Sequence, residues 1–367
     1  MGTARTYETE NNFLHATIVP MLTVAAIVFV ITWLLYAVAL KFFPVLKLLD
    51  FPERYGLART RRLPYPTGII AVIVFLCVIP VLFPIGMKEG GMMAAVALLG
   101  FACFFDDRTP LPSSVRLLVQ VIVGILLFLT GSHIYTITNP LGGIIKLDSI
   151  LLQTDLLGTL PILSGLFTVG WLLLTINALN WFDGVSGQVS VLSVIGFAML
   201  GCLAFFRNGE TDIALMAFTL AAIAAAGMTF DIPPARMLMG DTGAMFFGLM
   251  LGLLGIYHGG KVATAFLTLG MPLLDALFVI IRRILRKQSP FRGGQDHLHH
   301  CLLRRGWTER QIVLLTAIIG MAFGITALFL NTTEKGIAFV LLVVVMLLLR
   351  RYADSPTVRK SAERSAM

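Results

Sequence analysis

The chain is 367 residues long, 57% of them hydrophobic and only 13% charged, and its mean hydropathy is +0.88. So little polar surface cannot keep a globule of this length in water, which excludes a soluble domain and marks an integral membrane protein. The four cysteines, Cys77, Cys103, Cys202 and Cys301, are scattered, three of them in apolar runs and none at metal-ligand spacing, which argues against disulfides and zinc alike.

At about 20 apolar residues per spanning helix, the sequence predicts an all-α polytopic membrane protein of about eleven transmembrane helices. In chain order they fall at 18–40, 67–86, 91–105, 115–135, 160–182, 189–206, 213–228, 242–257, 263–281, 312–330 and 336–349. The first run is longer than the core of a signal peptide, lacks a basic leader and has no small-residue cleavage signature, so it is expected to be retained. The third and eighth are short enough to be tilted, buried or partly re-entrant. The one long outer connection, 136–159, contains Leu-Gly-Gly-Ile-Ile-Lys-Leu-Asp at 141–148, which suits a short outer β-hairpin or an irregular loop equally well. With no internal repeat or low-complexity block, 1–367 is expected to be a single membrane domain. Its parts are an outer N-terminal segment 1–17, a transmembrane core 18–349, a basic and histidine-bearing loop 282–311, and a tail 350–367.

Eleven spans put the termini on opposite sides, and positive charge decides which is inside. With the N-terminus outside and the C-terminus cytoplasmic, 22 of the 28 Lys and Arg are inside, leaving Arg5, Lys88, Lys146, Arg207, Lys261 and Lys335 outside. The net charge of +8 is then an inner-leaflet signal, with no nucleic acid as partner. In this orientation Asp106, Asp107, Asp183, Asp231, Asp241 and Asp296 all fall at cytoplasmic helix ends or loops, so any chemistry faces the cytoplasm.

Four stretches carry groups that lipid cannot solvate. Asn177, Asn180 and Asp183 stand at i, i+3 and i+6 at the end of an apolar run, and Gly184 and Gly187 then free the backbone for a close approach. The adjacent carboxylates Asp106 and Asp107 repel each other and need a cation, a shared proton or a nearby base; Arg116 and Gln120, opening the next span, are placed to face them. Gly240-Asp241-Thr242-Gly243 sets an uncrowded carboxylate beside a helix N-terminus, the arrangement for a divalent cation bridging protein to phosphate, or for a plain N-cap. The last segment carries Asp275 inside the ninth span, Arg282 and Arg283 at its end, and then His297, His299 and His300. Arginines bind a pyrophosphate bidentately and imidazoles add single hydrogen bonds, whereas three histidines this close in sequence do not suit zinc.

Together these pieces, from about 50 to 307, resemble the polyprenyl-phosphate N-acetylaminosugar-1-phosphate transferases, a membrane family. Its Asp-Asp is similar to Asp106-Asp107, its Asn-x-x-Asn-x-x-Asp-Gly to Asn177, Asn180, Asp183 and Gly184, its Gly-Asp-x-Gly to Gly240–243, and its His-x-His-His to His297, His299 and His300. The Pro-Phe-Arg at 290–292 followed by Asp-His-x-His-His resembles the undecaprenyl-phosphate GlcNAc-1-phosphate branch rather than the muramyl-pentapeptide one. The resemblance implies transfer of an N-acetylhexosamine 1-phosphate from a UDP-sugar to undecaprenyl phosphate, with UMP released and Mg2+ or Mn2+ as cofactor. It also implies a bacterial inner-membrane enzyme acting early in envelope glycan synthesis, and it favours a homodimer. In that reading Asp241 is a metal ligand, and Asp106 or Asp107 shares the metal or takes a proton. Asn177, Asn180, Asp183 and Gly184 hold the nucleotide-sugar, while Arg282, Arg283, His297, His299 and His300 bind pyrophosphate oxygens.

The chain departs from the family pattern at Ser186, where a second Asp is usual, at Asp231, where an Asn is usual, and at Leu238, where an aromatic is usual. All three bear on nucleotide binding and leave the donor open. Ala244 also replaces a common Ser. A catalytically inactive relative would fit these departures. A cation-coupled transporter is the alternative from another class, but it would place its carboxylates near mid-membrane rather than at one surface.

Overall fold

A computed structural model describes residues 2–52, 61–138, 143–155, 158–257, 262–289, 294 and 296–355. The described chain runs through α1 (Gly2–Val45), α2 (Gly68–Leu82), α3 (Met87–Arg108) and α4 (Ser113–Leu129), then strands β1 (Thr136–Thr138), β2 (Ile144–Lys146), β3 (Leu151–Thr154) and β4 (Gly158–Pro161). It continues through α5 (Ile162–Phe182), α6 (Gln188–Leu203) with a π-helical turn Ala204–Asn208, α7 (Thr211–Asp231), α8 (Gly240–Tyr257), α9 (Val262–Thr268), α10 (Gly270–Leu285), α11 (Leu298–Arg304), α12 (Glu309–Phe329) and α13 (Thr332–Asp354). Among the described residues, α1, α3, α5, α6 with its π-helical turn, α7, α8, α12 and α13 are long and apolar enough to cross a membrane, while α2 and α4 are apolar but shorter. The protein is thus mostly helical and multi-pass.

Each predicted span has a helix, with two differences in shape. The ninth apolar stretch is two helices, α9 and α10. Pro272 has no N–H for the Thr268 carbonyl and its ring crowds that carbonyl, and Gly270 lies where a Cβ would come 2.1 Å from Leu342 Cδ2 of α13. The long connection between α4 and α5 holds two small antiparallel ribbons rather than one: β1 pairs with β2 through Ile137 and Ile145, and β3 with β4 through Leu152 and Leu160. The expected hairpin within 141–148 therefore supplies only one strand, whose partner lies upstream. Of the basic residues that argued orientation, Arg54, Arg59, Lys261, Arg292, Arg359, Lys360 and Arg364 lie outside the described residues.

Helix α8 sits at the centre. Every one of its residues except Asp241 and Tyr257 is buried, and it packs against α2, α3, α5, α6 and α9. In lipid, apolar surface gives helices no reason to associate, so small residues that admit close packing decide the contacts. Glycines do this along α8: a Cβ at Gly248 would lie 2.7 Å from the Thr175 carbonyl, and one at Gly252 would lie 2.3 Å from Thr175 Oγ1. The Trp171 indole of α5 donates to the Gly252 carbonyl at 2.9 Å, satisfying the ring N–H inside the bundle. At the N-terminal end of α8, Gly68 of α2 meets Gly243 backbone to backbone, with a Cβ on Gly68 falling 2.3 Å from Gly243 Cα.

That last contact yields a stability prediction. Gly68→Ala drives a methyl into backbone that cannot swing aside, and overpacking of this kind costs about 1–3 kcal/mol. The detergent-solubilised variant is expected to melt below the wild type; equal melting temperatures would show that α2 and α8 are not packed backbone to backbone.

Candidate functional site

The N-terminus of α8 leaves backbone N–H groups without helical partners. Asp107, in the last turn of α3, supplies the acceptors. Its Oδ1 accepts the Asp241 N–H (3.0 Å) and the Tyr65 hydroxyl (2.5 Å); its Oδ2 accepts the Thr242 N–H (3.0 Å) and the Thr242 hydroxyl (2.5 Å). A carboxylate at a helix N-terminus is favoured by hydrogen bonding and by the helix dipole together. Gly240 makes the approach feasible, since its φ of +77° suits glycine and a Cβ there would lie 2.8 Å from Asp107 Oδ2.

The neighbouring Asp106 turns elsewhere. It is buried and accepts the Leu111 N–H (2.6 Å) and Arg116 Nη1 (3.3 Å). Arg116 also reaches Asp241 Oδ2 at 3.5 Å. The two adjacent carboxylates escape mutual repulsion by having separate partners, and Arg116 is the cation that one of them requires. Gln120, a turn further along α4, exchanges hydrogen bonds with Asn177 (2.6 and 3.4 Å), so Asn177 ties α5 to α4. Asn180 turns its amide toward Asp241, and its Nδ2 is buried with no full hydrogen bond among the described residues.

Asp183 ends α5 in a half-buried position. Among the described residues no group donates a hydrogen bond to its carboxylate. Burial pushes its carboxyl well above the usual carboxylate range, and Asp231, Asp241 and Asp107 nearby push it further. Gly184 follows, and His299 of α11 rests on it: a Cβ on Gly184 would lie 1.9 Å from His299 Nε2. His299 is only 1% exposed, and neither ring nitrogen has a hydrogen-bond partner among the described residues. Burial, with His300, His297 and Arg350 close by, lowers its pKa well below the usual imidazole value. The ring is therefore neutral at pH 7, with one N–H to donate and one lone pair to accept.

The remaining expected residues are placed as follows. His297 donates through Nδ1 to Asp275 Oδ2 (2.9 Å), and its ring stacks parallel to that of His299 at 6.0 Å. The His300 ring lies 4.2 Å from the ring of His299. Asp231 is buried at the end of α7, where it accepts the Gly187 N–H (3.0 Å) and the Ser190 hydroxyl and so caps α6. Ser186 is half-buried between Asp183 and that cap. The Leu238 carbonyl accepts the Thr67 N–H and hydroxyl, both at 3.0 Å, which joins the loop before α8 to α2. Arg283 is buried and pairs with Asp296 at 3.5 Å, within the histidine segment, whereas Arg282 pairs with Asp354 at the end of α13 (3.3 Å). Sequence reasoning assigned no role to Tyr65, Thr242 or Asp275. For Asp275, a carboxylate inside an apolar run was the available signal; for Tyr65 and Thr242 the local sequence offers none.

The fit of a divalent cation follows from the donor set. Asp183 and Asp241 offer hard oxygen ligands, the first without a hydrogen-bond donor among the described residues and the second with a 3.5 Å guanidinium contact and the Asn180 amide beside it. Among the described residues no three His, Cys, Asp or Glu side chains form a metal cage. Magnesium needs none, because it is usually held by one or two carboxylates with substrate oxygens and waters completing the octahedron. Asp107, with four donors on its two oxygens, is committed to α8.

Comparison with known proteins gives a consistent set. The model of glycosyl transferase family 4 matches residues 90–259. A probable undecaprenyl-phosphate N-acetylglucosaminyl 1-phosphate transferase of Bacillus subtilis is 27% identical over 300 residues, covering 77% of this chain and 78% of its own. The undecaprenyl-phosphate alpha-N-acetylglucosaminyl 1-phosphate transferase of Escherichia coli K12 is 26% identical over 269 residues, 70% of each chain. Its counterpart in Yersinia pestis is 28% identical over 244 residues, 62% of this chain and 63% of its own.

The seat of His299 on Gly184 is open to a direct check. Gly184→Ala is expected to displace the imidazole, so that His299 becomes reactive toward diethylpyrocarbonate in the folded protein. Wild-type protection in the variant would mean that the ring does not occupy that seat.

Proposed function

We propose, from the match of the glycosyl transferase family 4 model to residues 90–259, that this chain transfers an N-acetylhexosamine 1-phosphate from a UDP-sugar to undecaprenyl phosphate. A phosphate oxygen of the lipid attacks the β-phosphorus of the donor, the bond to the α-phosphate oxygen breaks, and UMP leaves. The product is a lipid-pyrophosphate-sugar. Because the nucleophile is already an anion, the site has to suppress repulsion among phosphates more than it has to generate a nucleophile.

The observation that carries this reading is the Asp183 carboxylate, half-buried, without a donor among the described residues, and beside Asp241. Such a group calls for a cation. We assign Asp241 and Asp183 as the carboxylates that would hold Mg2+ or Mn2+; when bound, the ion neutralises charge on the phosphates. Asp107 fixes the N-terminus of α8, and Arg116 holds Asp106 and Asp241 in register. Asn180 orients Asp241. His299, neutral and seated on Gly184, has an N–H for a pyrophosphate oxygen, and His297, His300 and Arg283 line the same segment.

For the membrane we propose eleven crossings, with α9 and α10 together making one, the N-terminus outside and the active site on the cytoplasmic face of a bacterial inner membrane. The distribution of Lys and Arg supports this orientation. Ser186 and Leu238 stand where the donor's nucleotide end would lie, so we leave the sugar as an N-acetylhexosamine. The family resemblance also leads us to propose a homodimer.

The test is a panel of radiolabelled nucleotide-sugars with undecaprenyl phosphate, scored for butanol-soluble product; no product with any UDP-N-acetylhexosamine would overturn the proposal. Asp241→Asn is expected to lower metal-dependent turnover by about a hundredfold or more at an unchanged melting temperature. Retained activity would remove Asp241 from the metal. Ser186→Asp is expected to change relative rates across UDP-sugars, and an unaltered ranking would place Ser186 away from the donor.

A further inference from the structure

Asp275 is a buried carboxylate that the proposed chemistry does not use. It lies in α10 at 2% exposure and gathers three donors: His297 Nδ1 at 2.9 Å, the Leu298 N–H at 3.0 Å and Arg350 Nη1 at 3.5 Å. The first two belong to the N-terminal end of α11. The third comes from the last turns of α13, some fifty residues later in the chain.

The opposite end of α11 meets the same part of α13. Arg305, just past the helix, donates to the Ser355 carbonyl at 2.9 Å and to the Ser355 hydroxyl, and its guanidinium lies 4.3 Å from the centre of the Tyr352 ring. Trp307 Nε1 donates to Tyr352 Oη at 3.4 Å. Asp354 closes the set by pairing with Arg350 Nε (3.4 Å) and with Arg282 (3.3 Å). A seven-residue helix is too short to hold itself, since nucleation costs more than so few hydrogen bonds return. Helix α11 is held instead from both ends, and the residues between its anchors include His299 and His300.

We propose that the C-terminal turns of α13 form a latch on the histidine segment, and that Arg350 is a positioning residue which acts through Asp275 and His297 to set His299 against Gly184 for the donor's pyrophosphate. This rests on the transferase reading above. Arg350 pairs with the buried Asp275 carboxylate at 3.5 Å, which is how a carboxylate is accommodated away from water, and the other oxygen of that carboxylate holds the His297 ring at Nδ1. The His297 ring in turn lies parallel to that of His299. A displacement of about 1 Å at the end of such a chain is enough to weaken binding at a pyrophosphate.

The experiment uses the full-length protein. Arg350→Gln is expected to raise KM for the nucleotide-sugar about tenfold while leaving KM for undecaprenyl phosphate unchanged, with Arg350→Lys recovering part of the loss. Arg351→Gln, on the exposed side of the same turn, is expected to behave as wild type. Asp275→Asn combined with Arg350→Gln is expected to be no worse than the worse single variant, because both act on one ring. Additive losses, or equal rises in both KM values, would overturn the latch. Hydrogen–deuterium exchange at 298–304, which needs no turnover, is expected to speed up in Arg350→Gln, and unchanged exchange would also overturn it. Should the wild type convert no donor, the transferase reading falls, and the exchange comparison still decides whether α13 holds α11.

Discussion

The structure depends on one carboxylate placed at the end of one helix. Helix α8 lies in the middle of the bundle with all but Asp241 and Tyr257 buried, and its first N–H groups need an acceptor from another helix. Asp107 supplies that acceptor to Asp241 and Thr242 and takes the Tyr65 and Thr242 hydroxyls as well. The same contact fixes the depth of α8 relative to α3, and with it the position of Asp241. A residue that would be read as chemistry from its type alone thus spends its hydrogen-bonding capacity on architecture. The chemistry gains indirectly, because the metal-binding candidate is the first residue that Asp107 holds.

Three other carboxylates follow the same logic with different outcomes. Asp106 is shared between the Leu111 N–H and Arg116, Asp231 between the Gly187 N–H and the Ser190 hydroxyl, and Asp275 among His297, Leu298 and Arg350. Asp106 and Asp231 sit at helix ends and Asp275 inside α10, and each binds a neighbouring element, which is how buried charge is tolerated. Asp183 has no such partner among the described residues, and the other carboxylates make its ionised form less favourable still. The contrast separates Asp183, the carboxylate proposed to hold a cation, from those partnered within the protein.

The histidine segment shows how a short helix is held by side chains from distant parts of the chain. His297 is oriented by Asp275, His299 is confined by Gly184 beneath it and Phe182 beside it, and α11 is pinned by α13. Glycine at 184 serves here as a vacancy in the shape of an imidazole, and its conformational freedom matters less than its missing Cβ. The ring it admits is neutral because it is buried among other basic groups, so it can give one hydrogen bond and accept another.

Much of this protein was legible before any coordinates. Apolar runs located the long helices of the bundle, though not the short α11 or the break between α9 and α10, since a lipid-spanning segment has no alternative to satisfying its backbone internally. The carboxylates, amides and histidines stood out because lipid makes such groups expensive, and Arg116 could be placed opposite Asp106 from its position at the start of the next span. Pairing was beyond the sequence: that Asp107 caps α8, that Asn177 binds Gln120, that Arg282 turns to Asp354, and that Arg350 reaches Asp275. Residue type and helical spacing determine which groups must find partners near a given end of the bundle. Which partners they find depends on the relative depth and rotation of helices far apart in the chain, and here small-residue contacts such as Gly68 on Gly243 set both, so only the tertiary structure could decide them.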